Sequence, residues 1–538
     1  MKKKGILMVA LVGVSAMMLF TACKKDKAED TTQTTEDTKQ NETTEVKDAV
    51  QKIDDPTTFT RISVHDPTIV KAEDGTFYLF GSHLAAGKSK DLASWANIGS
   101  AKKLFGVNKI DEIMPNIKEW MNIEGGDLGC WAADVIYNTT TKKYYFYACS
   151  SQFGSTDSVM WFATSDNIDG PYSGATPIIY SGFMDTTSGE WAYTNTNVGD
   201  LLANGTIEKG DWFHSDGSYD SGSGKMPNAI DPALFYDKDG RMWMSYGSYF
   251  GGIYILEIDV NTGMPIYPKK DDPENNVVSY FGKLIANPAG VNGSGEGPYI
   301  IYDKASDYYF LFVTYGNLDG LGGYNTRVYR SKNPDGPYED AKGQLATSNV
   351  EKGLKVMGNY HMTGTLGYIS PGHSSALVDD ETGKILYAYH TRFNDGAGNA
   401  HQVRIHQMFV NQYGFPIALP YEYDGETIGE EKITVDDVVG TYGFVNHGNN
   451  TTYSNDINNV TIRKETDITF NADGTISGKM KGTWSFDEEG SPYVTIKLMN
   501  VEYKGVFCYQ TEDVSKSNKR LVFAAGGDNN MVIWGVRK

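Results

Sequence analysis

The chain has 538 residues and a formal net charge of −20. That charge argues against a nucleic-acid partner, which would need a basic face, and the length is more than one ordinary compact domain requires. With 12% aromatic residues, 35 Tyr among them, and 59 Gly, the composition suits strands joined by turns rather than long helices.

In chain order, "MKKKGILMVALVGVSAMMLFTACKK" has a basic start, an apolar stretch of signal-peptide length and small residues leading to a cysteine. Its end, Phe20-Thr21-Ala22-Cys23, resembles a bacterial lipobox, with Phe20 where Leu is usual. Residues 1–22 are therefore expected to be a lipoprotein-type signal peptide and Cys23 the lipidated residue, with plain secretion as the alternative. Residues 23–56 have almost no apolar content, cannot offset the entropy of ordering, and read as a disordered tether. Together they place the folded part outside the cell, a lipid anchor being its one expected link to a membrane. Cys130, Cys149 and Cys508 lack the paired spacing of a zinc site. Cys130 and Cys149 could pair in an oxidising setting, but buried free thiols are the reading taken.

From there one pattern recurs: a short apolar run, a polar turn, then an aromatic-rich strand. The copies are "DPTIVKAEDGTFYLFGSH" from Asp66, "ADVIYNTTTKKYYFYACSS" from Ala133, "DPALFYDKDGRMWMSYGSY" from Asp231, "EGPYIIYDKASDYYFLFVTYG" from Glu296 and "SSALVDDETGKILYAYHTR" from Ser374. Each reads as a hairpin with its own turn chemistry. Further short strands follow, two of them ending in "DGPY" at Asp169–Tyr172 and Asp335–Tyr338, so the repeat is longer than a hairpin. Five such units predict an all-β, five-bladed β-propeller over residues 57–425.

The first strand of each blade lines a propeller's axis, so the starts of the repeats should converge. Three of them carry an acid: Asp66, Asp231 and Glu296. Pro67 is tolerated there because no ladder bond is lost at a strand's first residues. Converging carboxylates suit either calcium binding or glycosidic cleavage. Glu296, set among glycines before an aromatic strand, could be held protonated by partial desolvation. Asp66 would then be the ionised base, and Asp231 a neighbour that helps the acid keep its proton.

"VHDP" at Val64, "NAIDP" at Asn228 and "GEGP" at Gly295 resemble the three acidic motifs of glycoside hydrolase family 43. "SKDLASW" at Ser89, "WAADVIY" at Trp131 and "SPGHSSALVDD" at Ser370 are similar to its other blade signatures. Within the family the resemblance is to the larger, two-domain endo-1,5-α-L-arabinanases, over about Thr57 to Tyr423. It implies an inverting hydrolase of arabinan or a related plant cell-wall polysaccharide, acting as a monomer, with Asp66 as base, Glu296 as acid and Asp231 as pKa modulator. In an inverting enzyme the two carboxyls should stand roughly 6.5–9.5 Å apart. The resemblance further implies a calcium ion near the axis beside His373, with His390 the second choice for that role. It also places Gly154, Asn228, Ser248, Tyr249 and Phe250 in the sugar cleft with Asp66 and Asp231. Tyr249-Phe250 stands where Phe-Trp is common, and Ala133 where Pro is.

The segment 434–538 carries alternating runs, "TDITFNADGTISGKM", "YVTIKLMNVEYKGVFCYQ" and "RLVFAAGGDNNMVIWGVRK", turning at Asp-Gly and Gly-Gly. It reads as a small β-barrel or β-sandwich packed on the propeller. Two alternatives to endo action stay open: an exo-acting α-L-arabinofuranosidase or β-xylosidase, and a non-catalytic surface lectin.

Overall fold

The computed structural model describes residues 61–115, 129–221, 225–287, 295–316, 318, 323–348, 353–393, 401–449, 462–515 and 517–538. The expected signal peptide, the tether and Cys23 lie outside the described residues.

Five sheets, built almost entirely of antiparallel strands, form the first part of the structure. The innermost strands are Thr68–Lys71, Trp131–Asn138, Ala233–Tyr236, Glu296–Asp303 and Tyr368–Val378. They touch in cyclic order, the fifth returning to the first, which makes a five-bladed propeller. The two "DGPY" turns follow the third strands of blades 2 and 4, Ser158–Ser165 and Asn325–Ser331, and both carry a cis Gly-Pro bond.

Polar contacts pin blade to blade near the axis. The Ile69 N–H donates to Ser375 Oγ at 3.0 Å, the His373 N–H to Thr314 Oγ1 at 2.9 Å, and the Leu234 N–H to Asp134 Oδ2 at 2.6 Å. Asp134 is buried, and burial pushes its pKa up to about 7 although the Leu234 and Val135 N–H groups oppose the shift. Such bonds leave few unpaired backbone groups where the strands crowd together.

At the entry of four inner strands, and at the register shift within the fifth, one residue takes a left-handed conformation. Asp66, Ala132, Asp231, Gly297 and His373 have φ of 54°, 44°, 58°, 57° and 43°. Four of the five are not glycine, and each such residue costs about 1–3 kcal/mol, a strain that persists only where the surroundings impose it. This ring corrects the expected register. The equivalent of Asp66 and Asp231 in blade 4 is Gly297, while Glu296 stands one residue earlier, in step with His65, Trp131, Ile230 and Gly372. A one-residue offset turns a side chain toward the opposite face, so Glu296 reaches the axis from another direction than the two aspartates.

The C-terminal segment is a closed barrel of eight strands from Gly440–Asn446 to Val532–Arg537, the last pairing with the first through Tyr442 opposite Arg537. The barrel is thus the form realised, rather than a sandwich. Along Val501–Thr511, Phe507 points into the barrel core while Val506 and Cys508 pack on the propeller. Along Lys519–Gly527, Leu521, Phe523 and Ala525 point inward while Val522 and Ala524 pack outward. Period-2 alternation with both faces buried explains why these strands read as unbroken apolar runs. Across the junction Tyr368 donates to Asp513 at 2.9 Å and Asn530 to Asp340 at 2.7 Å, and Arg463–Lys464 adds a parallel strand to the fifth blade's sheet. Cys130, Cys149 and Cys508 are free and buried, so the expected Cys130–Cys149 alternative is not formed.

Candidate active site

A cavity of about 500 Å³ opens where the inner strands begin. Its walls include Asp66, Asp231, Glu296 and His373, together with Gly154, Asn228, Ser248, Tyr249 and Phe250. Every substrate-contact residue expected from the sequence lines this one space.

Asp66 sits in a dense set of partners. Its Oδ1 is 2.9 Å from His373 Nδ1 and its Oδ2 is 2.8 Å from His65 Nδ1. Ser82 Oγ donates to Oδ2, and the Asp66 N–H donates to His390 Nδ1 at 3.2 Å. Burial alone would raise the pKa of this carboxyl, but the charges and hydrogen bonds of His373 and His65 outweigh it and hold it well below the usual range. Asp66 is therefore ionised at any ordinary pH.

Glu296 is held differently. Tyr324 donates its hydroxyl proton to Oε1 and Ser248 donates to Oε2 at 3.3 Å. Burial raises its pKa, the nearby Asp66 charge adds to the rise, and His373 with Tyr324 only partly opposes it. Asp231 Oδ2 accepts the Gly297 N–H at 3.1 Å, which ties it to the backbone beside Glu296. Burial, then the like charges of Glu296 and Asp66, push Asp231 up to about 7 against the pull of His373. Two carboxyls in one cavity thus have pKa values driven in opposite directions, the arrangement that separates a base from an acid.

His373 loses through desolvation but gains more from Asp66, Asp231 and Glu296, and its pKa rises to about 10. Beside it lies a cavity of about 10 Å³ lined by the five left-handed residues together with Pro67, Pro232, Pro298 and Ser374 among others. A Cβ at Gly297 would come within 3.0 Å of His373 Nε2, so glycine is what leaves that nitrogen room. Among the described residues, the donor atoms of His65, Asp66 and His390 also lie within 4.8 Å of one another. The rings of His65 and His390 are stacked, centroids 4.3 Å and planes 21° apart, so their in-plane lone pairs run side by side instead of converging on an ion. His390 is fully buried. Desolvation first, then the charge of His65, lowers its pKa well below the usual value, and a neutral ring accepting the Asp66 N–H is a cradle for the carboxylate rather than a ligand.

Among the expected cleft residues, Asn228 Oδ1 accepts from Ser158 at 2.6 Å and Nδ2 donates to the Ser155 carbonyl at 3.2 Å, so much of its amide is spent on the wall. Tyr249 is anchored through its hydroxyl to the Gly316 carbonyl at 3.0 Å and has φ 37°. Gly154 has φ 81° and open space where a Cβ would stand, beside Phe153, which is 90% exposed at the cavity wall. Sequence reasoning missed Ser82, Phe153 and Tyr324. Ser82 comes from the 3-10 turn after the second strand of blade 1 and Tyr324 from the residue before the third strand of blade 4, places that carry no acidic motif. Phe153 adjoins the expected Gly154, and aromatic surface beside a sugar cleft was the signal available.

Carboxyls at a propeller's axis, one held ionised and one with a raised pKa, fit the acid–base pair of a glycoside hydrolase. The family model described as glycosyl hydrolases family 43 matches residues 57–190 and 186–416, and one described as a C-terminal lipocalin-like domain matches 420–535; the chain belongs to glycoside hydrolase family 43. It is similar to the extracellular endo-α-(1→5)-L-arabinanase of Thermotoga petrophila, 38% identical over 90% of this chain and 95% of that protein. It is similar also to the extracellular endo-α-(1→5)-L-arabinanase 2 of Bacillus subtilis, 37% identical over 89% and 93%. The crystal structure of the endo-1,5-α-L-arabinanase from Thermotoga petrophila RKU-1 covers 89% of this chain and 99% of its own at 37% identity, with a TM-score of 0.74.

Proposed function

We propose that the protein is an endo-acting, inverting 1,5-α-L-arabinanase that works outside the cell. One observation carries the chemistry: Asp66 is held ionised by His373 and His65 while burial raises Glu296 in the same cavity. Similarity to named endo-arabinanases over both domains supports arabinan as substrate and cleavage within the chain.

In this reading the arabinosyl C1–O bond lies between the two carboxyls. Asp66 takes a proton from a water, the water oxygen attacks C1, and Glu296 gives its proton to the departing glycosidic oxygen. Asp231, bonded to the Gly297 N–H, keeps negative charge from settling on Glu296 before the reaction. Gly154, Asn228, Ser248, Tyr249 and Phe250 shape the sugar cleft.

Calcium at the axis suits His373. With Nδ1 turned to Asp66 and the ring lining the small axial cavity beside Gly297, His373, once it gives up its ring proton, would have the carboxylate–histidine–metal pattern that orients a ligand. The surrounding carboxylates call for one positive charge there. Calcium prefers several oxygen ligands, and His373 is the residue of this chain that would hold it. When bound, the ion holds positive charge beneath the catalytic carboxylates. Chelation is expected to lower the melting temperature and activity of the native protein and to leave His373→Gln unchanged; equal responses of the two would remove His373 from the site. Lipidation at Cys23, with residues 23–56 as tether, would hold the enzyme at the cell surface, and intact mass of the membrane-extracted protein tests it.

The test of function is product size over time from linear 1,5-arabinan, beside an aryl α-L-arabinofuranoside, with Glu296→Gln as control. Mixed oligosaccharides early, little action on the aryl glycoside and loss in the mutant are expected. Monosaccharide alone would indicate exo action, and binding without hydrolysis a lectin.

A further inference from the structure

Tyr324 is the buried group in the site whose placement the acid–base scheme does not explain. It precedes the third strand of blade 4, Asn325–Ser331, and is fully buried. A Cβ on Gly372 would stand 2.5 Å from its ring, so the glycine is what admits the ring against the inner strand of blade 5. On another side the ring stacks on His390, centroids 5.7 Å and planes 23° apart, and His390 stacks in turn on His65, the partner of Asp66 Oδ2. A column of three rings therefore runs from the residue that touches Glu296 to the residue that touches Asp66.

The direction of the Tyr324 hydrogen bond follows from its neighbours. Its hydroxyl oxygen is 3.4 Å from His373 Nδ1, but that nitrogen is committed to Asp66 at 2.9 Å. The single phenolic proton goes to Glu296 Oε1. The Tyr324 proton has only Oε1 to go to, whereas the Ser248 hydroxyl, 3.3 Å from Oε2, can turn to accept as well as donate, so a protonated Glu296 carries its own proton on Oε2.

We propose that Tyr324 is a positioning residue for proton delivery: by donating to Oε1 it fixes the acid proton of Glu296 on Oε2, aimed at the leaving oxygen. The inference rests on Glu296 being the acid. As the C1–O bond breaks, its electron pair takes the proton from Oε2, Glu296 becomes a carboxylate, and the Tyr324 hydrogen bond becomes charge-assisted. The contact is stronger in the transition state than before it, so it contributes to rate rather than to binding.

The test uses aryl α-1,5-arabino-oligosides whose phenols span a range of acidity, because an acidic phenol departs without help from an acid. For Tyr324→Phe we expect kcat on arabinan and on the least acidic phenol to fall about 30- to 100-fold, with the most acidic phenol affected less than about threefold and KM nearly constant. Glu296→Gln in parallel should show the same dependence more steeply. A uniform loss across the series for Tyr324→Phe, or no loss on arabinan, overturns the inference while leaving the acid assignment intact if Glu296→Gln keeps its dependence. A uniform loss for Glu296→Gln instead overturns the acid assignment. Should Tyr324→Phe fail to fold, a ring-fluorinated tyrosine at 324 keeps shape and hydroxyl and alters only the strength of the donor. It should change the leaving-group slope, and an unchanged slope overturns the inference equally.

Discussion

Two closed β structures share this chain, and their axes are built from opposite materials. The propeller axis ends in Asp66, Asp231, Glu296 and His373 above a water-sized cavity, with left-handed backbone at every blade. The barrel axis is filled by Tyr442, Phe470, Trp484, Phe507 and Phe523, with Tyr442 and Phe470 centroids 4.9 Å apart and Phe470 and Phe523 5.4 Å apart. Eight strands give an interior that side chains can fill, and here aromatic rings fill it. Five radiating sheets meet only at their inner edges, and the opening they leave holds ionisable groups at the cost of strain. One region spends stability on chemistry; the other supplies it.

The contrast can be broken from either side. The largest effect is expected at the propeller axis: Glu296→Gln should cost about 10²–10⁴-fold in kcat on arabinan, with the melting temperature nearly unchanged. An equal loss of stability would mean that the carboxyl is structural. Next, Phe523→Ala in the barrel should lower unfolding free energy by about 3–5 kcal/mol, read by denaturant titration, while kcat of the still-folded enzyme stays within about twofold. A large fall in kcat would show that the barrel shapes the site.

A smaller effect separates Asp231 from Glu296. Where Asp231 is ionised, its charge opposes ionisation of its neighbour, so Asp231→Asn should lower the Glu296 pKa. Glu296 must be protonated to act, hence the alkaline limb of the kcat profile should move toward lower pH, by roughly one unit. On the acid side no change is expected, because His373 and His65 both remain to hold Asp66 ionised. A shift of the alkaline limb upward would contradict the modulating role. The smallest effect concerns the thiols: burial pushes Cys130 up to about 12 and Cys149 also well above the usual value. Iodoacetamide should leave both unlabelled in the native protein, and a reductant should not change its melting temperature.

Much of this was legible in one dimension because a propeller repeats. Five copies of one hairpin pattern, each with its own turn residues, announce five blades, and alternation announces the barrel strands. The acids were visible because Asp66, Asp231 and Glu296 stand beside proline or glycine at the starts of those repeats. Tertiary structure decided the rest. It showed that Gly297, not Glu296, continues the ring of Asp66 and Asp231, a one-residue offset that similar-looking motifs conceal. It also brought Ser82 and Tyr324 onto the carboxyls from connecting segments that carry no acidic motif, and used His390 to hold the Asp66 backbone. A sequence records which residues a strand presents and with what period, since those follow from local geometry. Which carboxyl is ionised depends on charges and burial contributed by all five blades, and those meet only when the ring closes.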